Sequence, residues 1–145
     1  MSSEFRGAWR DGWYVVPHHV LFRDLDPFGH VNNAVFFTYF EWARTLLWFD
    51  LTGQRGARDI GFIVARASCD FKKQLALEPI EICVRVGEIR NTSFAFVYEI
   101  GKVPRGEVAA TGEVVVVLYD WARQSKMSVS DELRRKLTEC SRQEF

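Results

Sequence analysis

The residues able to do chemistry crowd into one stretch, Arg23 to Arg44, which reads RDLDPFGHVNNAVFFTYFEWAR. Two carboxylates (Asp24 and Asp26), one histidine (His30) and the adjacent Asn32 and Asn33 precede a long apolar run that carries Glu41. If that run is a helix, its first turn offers unpaired backbone N–H groups and the positive end of the helix dipole, which bind an anion or stabilise a developing oxyanion. A carboxylate beside such a helix start can act as a nucleophile or deprotonate water. The same residues have a plainer use: Asp24 and Asp26 stabilise a turn, Gly29 supplies an unusual backbone angle, and an asparagine caps the helix. A third use is metal ligation by Asp24, Asp26 and His30. Against it, the region has no second histidine and no recurring ligand spacing such as HExxH.

Several elements must position these groups. The run from Asn33 to Leu51 is too long for an ordinary strand; Asn32 or Asn33 can cap its first turn, and Gly53 is a natural stop. Thr38, Glu41 and Thr45 recur at helical spacing while apolar residues cover nearly everything else, the pattern of a helix wrapped by other structure. Upstream, WYVVPHHVLF from Trp13 to Phe22 reads as a strand, with Pro17 favouring an edge because it has no N–H to give. Downstream, four further strands are expected at 60–75, 79–90, 92–101 and 107–120. Ile80, Ile82, Val84 and Val86 share one face, as do Phe94, Phe96, Tyr98 and Ile100, leaving Glu81, Arg85 and Glu99 outward. Turns at Arg90 to Thr92 and at Val103 to Gly106 allow antiparallel neighbours. The tail from Ser130, SDELRRKLTECSRQEF, has the charge spacing of a short, mostly solvated helix. The order describes an α+β fold: an antiparallel five-stranded sheet wrapped around one long central helix. We read residues 1–145 as a single domain, with its core over about 13–121 and the short C-terminal helix over about 130–140.

Composition narrows the function class. With 19 basic and 19 acidic residues among 145, the chain lacks the field that concentrates nucleic acid or an anionic membrane, so an anionic ligand must be caught locally. Cys69, Cys83 and Cys140 have neither a CxxC spacing nor an even count, which points to reduced thiols and a cytoplasmic setting. The opening MSSEFRGAWRDGW lacks a signal-peptide apolar stretch, and no uncharged run approaches the length of a membrane span.

DLDPFGHVNN followed by FFTYFEWAR resembles the signature of hotdog-fold thioesterases of the 4-hydroxybenzoyl-CoA thioesterase type. Weaker motifs extend the resemblance from about Trp13 to Asp120: DFKKQL ahead of a strand, NTSF opening another, and AATGEVVVVLYD in the last. The resemblance implies an acyl-CoA thioesterase in which Asp26, not Asp24, acts as nucleophile or general base, and the backbone amide of Asn33 polarises the thioester carbonyl. A thioester suits so small a set of groups: its carbonyl is electrophilic and its thiolate leaves with little protonation.

The remaining candidates each carry two readings. His30 orients water or substrate, or is a structural hydrogen-bonding group. Glu41 supports catalysis from two turns along the helix, or forms a buried ion pair with Arg44. Arg66, Lys72, Lys73 and Arg90 hold coenzyme A phosphates, or decorate a solvated strand face. Phe36, Phe37 and Tyr39 line an acyl tunnel, or simply fill the core. No cofactor beyond the substrate's own coenzyme A is implied.

A single sheet on one helix leaves strand edges exposed, so a homodimer or homotetramer is expected, and in the resembling family the active sites lie at that dimer interface. The rival functions are an acyl-carrier-protein thioesterase, a hydratase or dehydratase of acyl thioesters, and a non-catalytic acyl-thioester binder on the same fold.

Overall fold

The computed structural model describes residues 6–56, 60–104 and 106–140. In chain order its elements are β1 (Ala8–Arg10), β2 (Trp13–His19), a short 3-10 turn (Phe22–Asp24), α1 (Asn33–Thr52), β3 (Phe62–Phe71), β4 (Pro79–Ile89), β5 (Ser93–Lys102), β6 (Val108–Asp120), β7 (Ser125–Lys126) and α2 (Asp131–Cys140). The sheet runs β1-β2-β4-β5-β6-β3, with β7 paired to the end of β6; every pairing is antiparallel. Its five long strands, β2 to β6, curve around α1 in the hotdog arrangement.

The expected faces are the observed ones. Ile80, Ile82, Val84 and Val86 of β4 and Phe94, Phe96, Tyr98 and Ile100 of β5 are all buried in the core, with Phe36, Tyr39, Phe40, Ala43, Leu46 and Leu47 of α1 in the same cluster. The Phe40 ring stacks on Tyr98 with centroids 4.2 Å apart. Gly112 of β6 permits that approach, since a Cβ there would sit 2.5 Å from the Phe40 ring and 2.7 Å from the Ser68 carbonyl oxygen. Pro17 faces Glu81 of β4 on one side, while on the other β1 reaches no further than Val15, so the proline keeps the edge position its missing N–H requires.

Several details differ from the sequence reading, among them the unanticipated β7 and the shorter β3, which was expected over 60–75. The first strand stops at His19, and the residues after it turn. Strand β1 was not anticipated, because three residues carry no periodicity; its signal was Asp11-Gly12, both at positive φ, closing a two-residue hairpin between Arg10 and Trp13. Helix α2 is less solvated than expected: Leu137 and Cys140 are buried, the former in full. Residues 141–145 of that segment, and Arg105 of the turn before β6, lie outside the described residues.

Strand β3 stands apart. Only Phe62 is buried along it, and its outer edge pairs with no other strand among the described residues. Its apolar Val64 and Phe71 remain exposed. No described helix is long and apolar enough to cross a membrane.

Candidate active site

The loop between β2 and α1 is stitched at both ends to the segment after β3: the Val20 N–H donates to the Glu78 carbonyl at 3.0 Å and the Val31 N–H to the Leu75 carbonyl at 2.8 Å. Asp24 holds the loop together. Its Oδ2 accepts the Leu21 N–H at 3.0 Å and the Tyr39 hydroxyl at 2.7 Å, and its carbonyl accepts the Asn32 N–H at 2.9 Å. That carboxylate therefore ties the loop to the middle of α1. Burial, followed by the Asp24 hydrogen bond and charge, pushes the Tyr39 phenol well above its ordinary range, so it stays a donor.

Asp26 is arranged differently. Its N–H donates to the His30 carbonyl at 2.7 Å, and its Oδ1 accepts the N–H groups of Phe28 at 2.9 Å and His30 at 3.2 Å. Gly29, at φ +82°, closes the turn by donating its N–H to the Asp26 carbonyl at 3.0 Å. One carboxylate oxygen is thus fixed by two amides, while Oδ2 takes no hydrogen bond among the described residues.

The helix start follows three residues beyond His30. Asn32 is the cap: its Oδ1 accepts the Ala34 N–H at 2.9 Å and its carbonyl accepts the Val35 N–H at 2.9 Å. The Asn33 N–H finds no acceptor among the described residues. Turn formation and chemistry are therefore compatible here: the turn bonds orient the carboxylate, and the cap leaves one amide over.

The other titratable groups near the loop are less suited to attack. The His30 ring has no hydrogen bond among the described residues, and the residue contributes to the Asp26 turn through its backbone. His18 packs edge-on against Tyr39 at 5.2 Å, and burial lowers its pKa despite the opposing pull of Asp24. The Cys69 thiol is pushed up to about 11, chiefly by burial, which leaves little thiolate at neutral pH. No three His, Cys, Asp or Glu side chains converge as a metal cage would require, among the described residues. Asp24, which the metal reading needed, is instead engaged by Leu21 and Tyr39.

Of the binding candidates, Lys72 and Lys73 lie nearest. They follow Phe71, whose ring meets Phe36 of α1 edge-on at 5.1 Å, and both donate their N–H to the Ala109 carbonyl. Lys73 is paired with Glu107 at 3.3 Å; both side chains are exposed. Phe36 is buried against Tyr39 and Phe71. Arg66 and Arg90 come together elsewhere, lining a groove on the sheet face away from α1, where Arg66 pairs with Glu113 and Arg90 with Glu88. Arg90 follows the far end of β4, eleven residues long, whose other end pairs with His19 beside the loop.

Glu41 meets Arg44 at 3.6 Å, but this is not the buried pair the sequence allowed: the glutamate side chain is 67% exposed and the arginine 8%. Sequence reasoning also missed the Tyr39–Asp24 bond, because a separation of fifteen residues across a loop leaves no local pattern.

Between α1 and β3 runs a groove formed by two adjoining cavities of about 260 and 450 Å³, the sizes of small-ligand sites. Both are lined by Thr38, Glu41, Arg44 and Val64, with Phe37 at one end and Thr45 and Ile60 at the other. The sequence profile of the thioesterase-like superfamily matches residues 20–137, a span that contains the loop, α1 and β3 to β6.

The chain is a member of the thioesterase-like superfamily.

Its relatives within that superfamily bracket it in sequence and shape. It is 30% identical to YsmA of Bacillus subtilis, a protein without a characterised function, over 81% of this chain and 80% of YsmA. It is 27% identical to FadM of Escherichia coli, a long-chain acyl-CoA thioesterase, over 78% of this chain and 88% of FadM. Among solved structures it is similar to a thioesterase from Thermus thermophilus complexed with coenzyme A and zinc, at 28% identity and a TM-score of 0.80, over 92% of this chain and 97% of that one. Membership of this superfamily supports thioester hydrolysis as the general activity.

Proposed function

We propose that this chain hydrolyses acyl-CoA to a free acid and coenzyme A, with Asp26 as the reacting carboxylate. The observation that carries the reading is the asymmetry of that carboxylate: Oδ1 is held by two amides, and Oδ2 is uncommitted at the entrance to a helix whose Asn33 N–H is unpaired among the described residues. The thioester carbonyl oxygen accepts from the Asn33 N–H. In the general-base route, Asp26 takes a proton from water as the water oxygen bonds to the acyl carbon. The tetrahedral oxyanion then collapses, the C–S bond breaks, and the thiolate leaves. In the nucleophilic route, Asp26 Oδ2 bonds to the acyl carbon and expels the thiolate first, and water then cleaves the resulting anhydride.

The acyl chain lies along the groove between α1 and β3, with Phe36 behind its entrance. Lys72 and Lys73 are the basic groups placed to meet coenzyme A phosphates near Asp26. Arg66 and Arg90 serve the substrate in this reading only across a protomer boundary, because within one protomer they lie away from the loop. His30 shapes the Asp26 turn through its backbone, and Glu41 supports the site from the groove. A second copy pairing along the open edge of β3 forms the homodimer, which removes an exposed strand edge and roofs the groove. Dimers can pair further into a homotetramer. The protein acts in the cytoplasm and needs no cofactor beyond the substrate's own coenzyme A.

The test is thiol release from short-chain, long-chain and aromatic acyl-CoA esters, with the acid product identified. Release of thiol and free acid in equal amounts supports the reading. A thioester left intact but hydrated would contradict it, and binding without turnover of any ester would favour a non-catalytic binder or a carrier-protein substrate.

A further inference from the structure

The groove between α1 and β3 contains a charge that its apolar neighbours Phe37, Ile60, Phe62 and Val64 do not explain. Arg44 is 7% exposed and lines both cavities. A guanidinium presents five N–H donors, and a buried one is normally matched by acceptors. Among the described residues its ion-pair partner is Glu41, at 3.6 Å, beyond good hydrogen-bond length, with its own side chain mostly in solvent. Behind the arginine, the Tyr98 hydroxyl is buried and has no hydrogen-bond partner among the described residues. Burial raises the pKa of that phenol and keeps it protonated, while the charge of the neighbouring Arg44 pulls the other way.

Resting on the acyl-CoA reading above, we propose that Arg44, backed by Tyr98, forms a distal subsite that takes a carboxylate at the far end of the acyl chain. The preferred substrates are then the coenzyme A half-thioesters of long dicarboxylic acids. A carboxylate supplies the paired acceptors that Arg44 lacks among the described residues, displacing the loosely held Glu41. Distance selects the chain length. Arg44 lies eleven residues beyond Asn33, and because its guanidinium reaches back to Glu41 the span is at most about 16 Å along the helix at 1.5 Å per residue. An extended chain advancing roughly 1.2 Å per bond covers that in about a dozen bonds.

The experiment compares kcat/KM for dodecanedioyl-CoA and dodecanoyl-CoA, with hexanedioyl-CoA and hexanoyl-CoA as a pair too short to reach. The wild type favours the twelve-carbon dicarboxylate by about tenfold or more and shows no such preference at six carbons. Arg44→Met removes the twelve-carbon preference, Arg44→Lys retains part of it, and Tyr98→Phe weakens it, with the changes carried by KM. If the methionine variant does not fold, the lysine and phenylalanine variants still read the ratio. Equal rates on the two twelve-carbon esters would overturn the subsite while leaving hydrolysis intact, and so would an equal dicarboxylate preference at six carbons. Conversion of Arg44→Met to a monomer would assign its acceptor to a second copy and overturn the proposal as well. If neither twelve-carbon ester is turned over, the hydrolase reading fails on its own, and calorimetric binding of the same two esters still decides the subsite.

Discussion

The two ends of α1 are built on opposite terms. The C-terminal end is tied down: Gly53 takes a left-handed conformation and donates its N–H to the Phe49 carbonyl, and the Thr52 hydroxyl donates to the Trp48 carbonyl. Asp50 there accepts the Tyr14 hydroxyl and pairs with Arg6 and Arg55 through its other oxygen. At the N-terminal end a carboxylate of the same kind, Asp26, has one oxygen fixed and one left over, beside an amide that is also left over. The comparison teaches that the same chain ties a carboxylate fully into one helix end and leaves one only half tied at the other, and the groups left open among the described residues are those the proposed hydrolysis uses.

The comparison can be broken by exchanging the consequences of mutation. The largest activity effect is expected at Asp26, treated last. Asp50→Ala is expected to cost about 1.5–3 kcal/mol of stability by removing the acceptor of the buried Tyr14 hydroxyl and freeing two arginines. Activity per folded molecule should stay within about twofold, since Asp50 touches no part of the site. A chemical denaturation series alongside thiol release reads both. Loss of turnover without loss of stability in that variant would erase the distinction between the two ends.

Asn32→Ala sharpens the comparison from the other side. Losing the cap is expected to cost about 1 kcal/mol, or roughly 2–4 °C in Tm, and to lower kcat several-fold because the Asn33 amide loses its fixed direction. Asn32→Asp, which can still cap, should restore stability. A calorimetric scan with kinetics on both variants checks this.

The smallest effect concerns His18. Its folded-state pKa lies below the unfolded value, because burial beside Tyr39 disfavours the charged ring. Above the unfolded pKa both states are neutral and the residue adds no pH dependence. As pH falls through the ordinary histidine range, the unfolded chain takes up the proton first and stability declines. His18→Gln should flatten that part of the stability–pH curve between about pH 7 and 5, as followed by thermal unfolding at each pH.

How much of this was legible without coordinates depends on how local each feature is. Asp26, His30, Asn32 and Asn33 lie in one unbroken stretch, so the turn and the cap could be read from spacing, whereas Asp26 was set apart from Asp24 by the family resemblance alone. The faces of β4 and β5 were legible because alternation over seven residues in each specifies a pleated surface. Arg44 was not: its burial depends on how β3 lies over α1, and nothing near Arg44 in the chain announces it. Arg66 and Arg90 fell away from Asp26 for a related reason, since strand direction and register decide which end of the sheet a residue reaches. Asp11-Gly12 was readable as a hairpin but closes strands too short to show a period.

The most direct test of the account is Asp26→Asn, with kcat on the best acyl-CoA ester and Tm measured on the same preparation. Asparagine keeps the oxygen that accepts from Phe28 and His30 but loses the carboxylate. The account expects kcat to fall by roughly a hundredfold or more, with Tm shifted by no more than a few degrees and assembly unchanged. Turnover within a few-fold of the wild type, in a folded and assembled variant, would contradict it and leave Asp26 a turn residue alone.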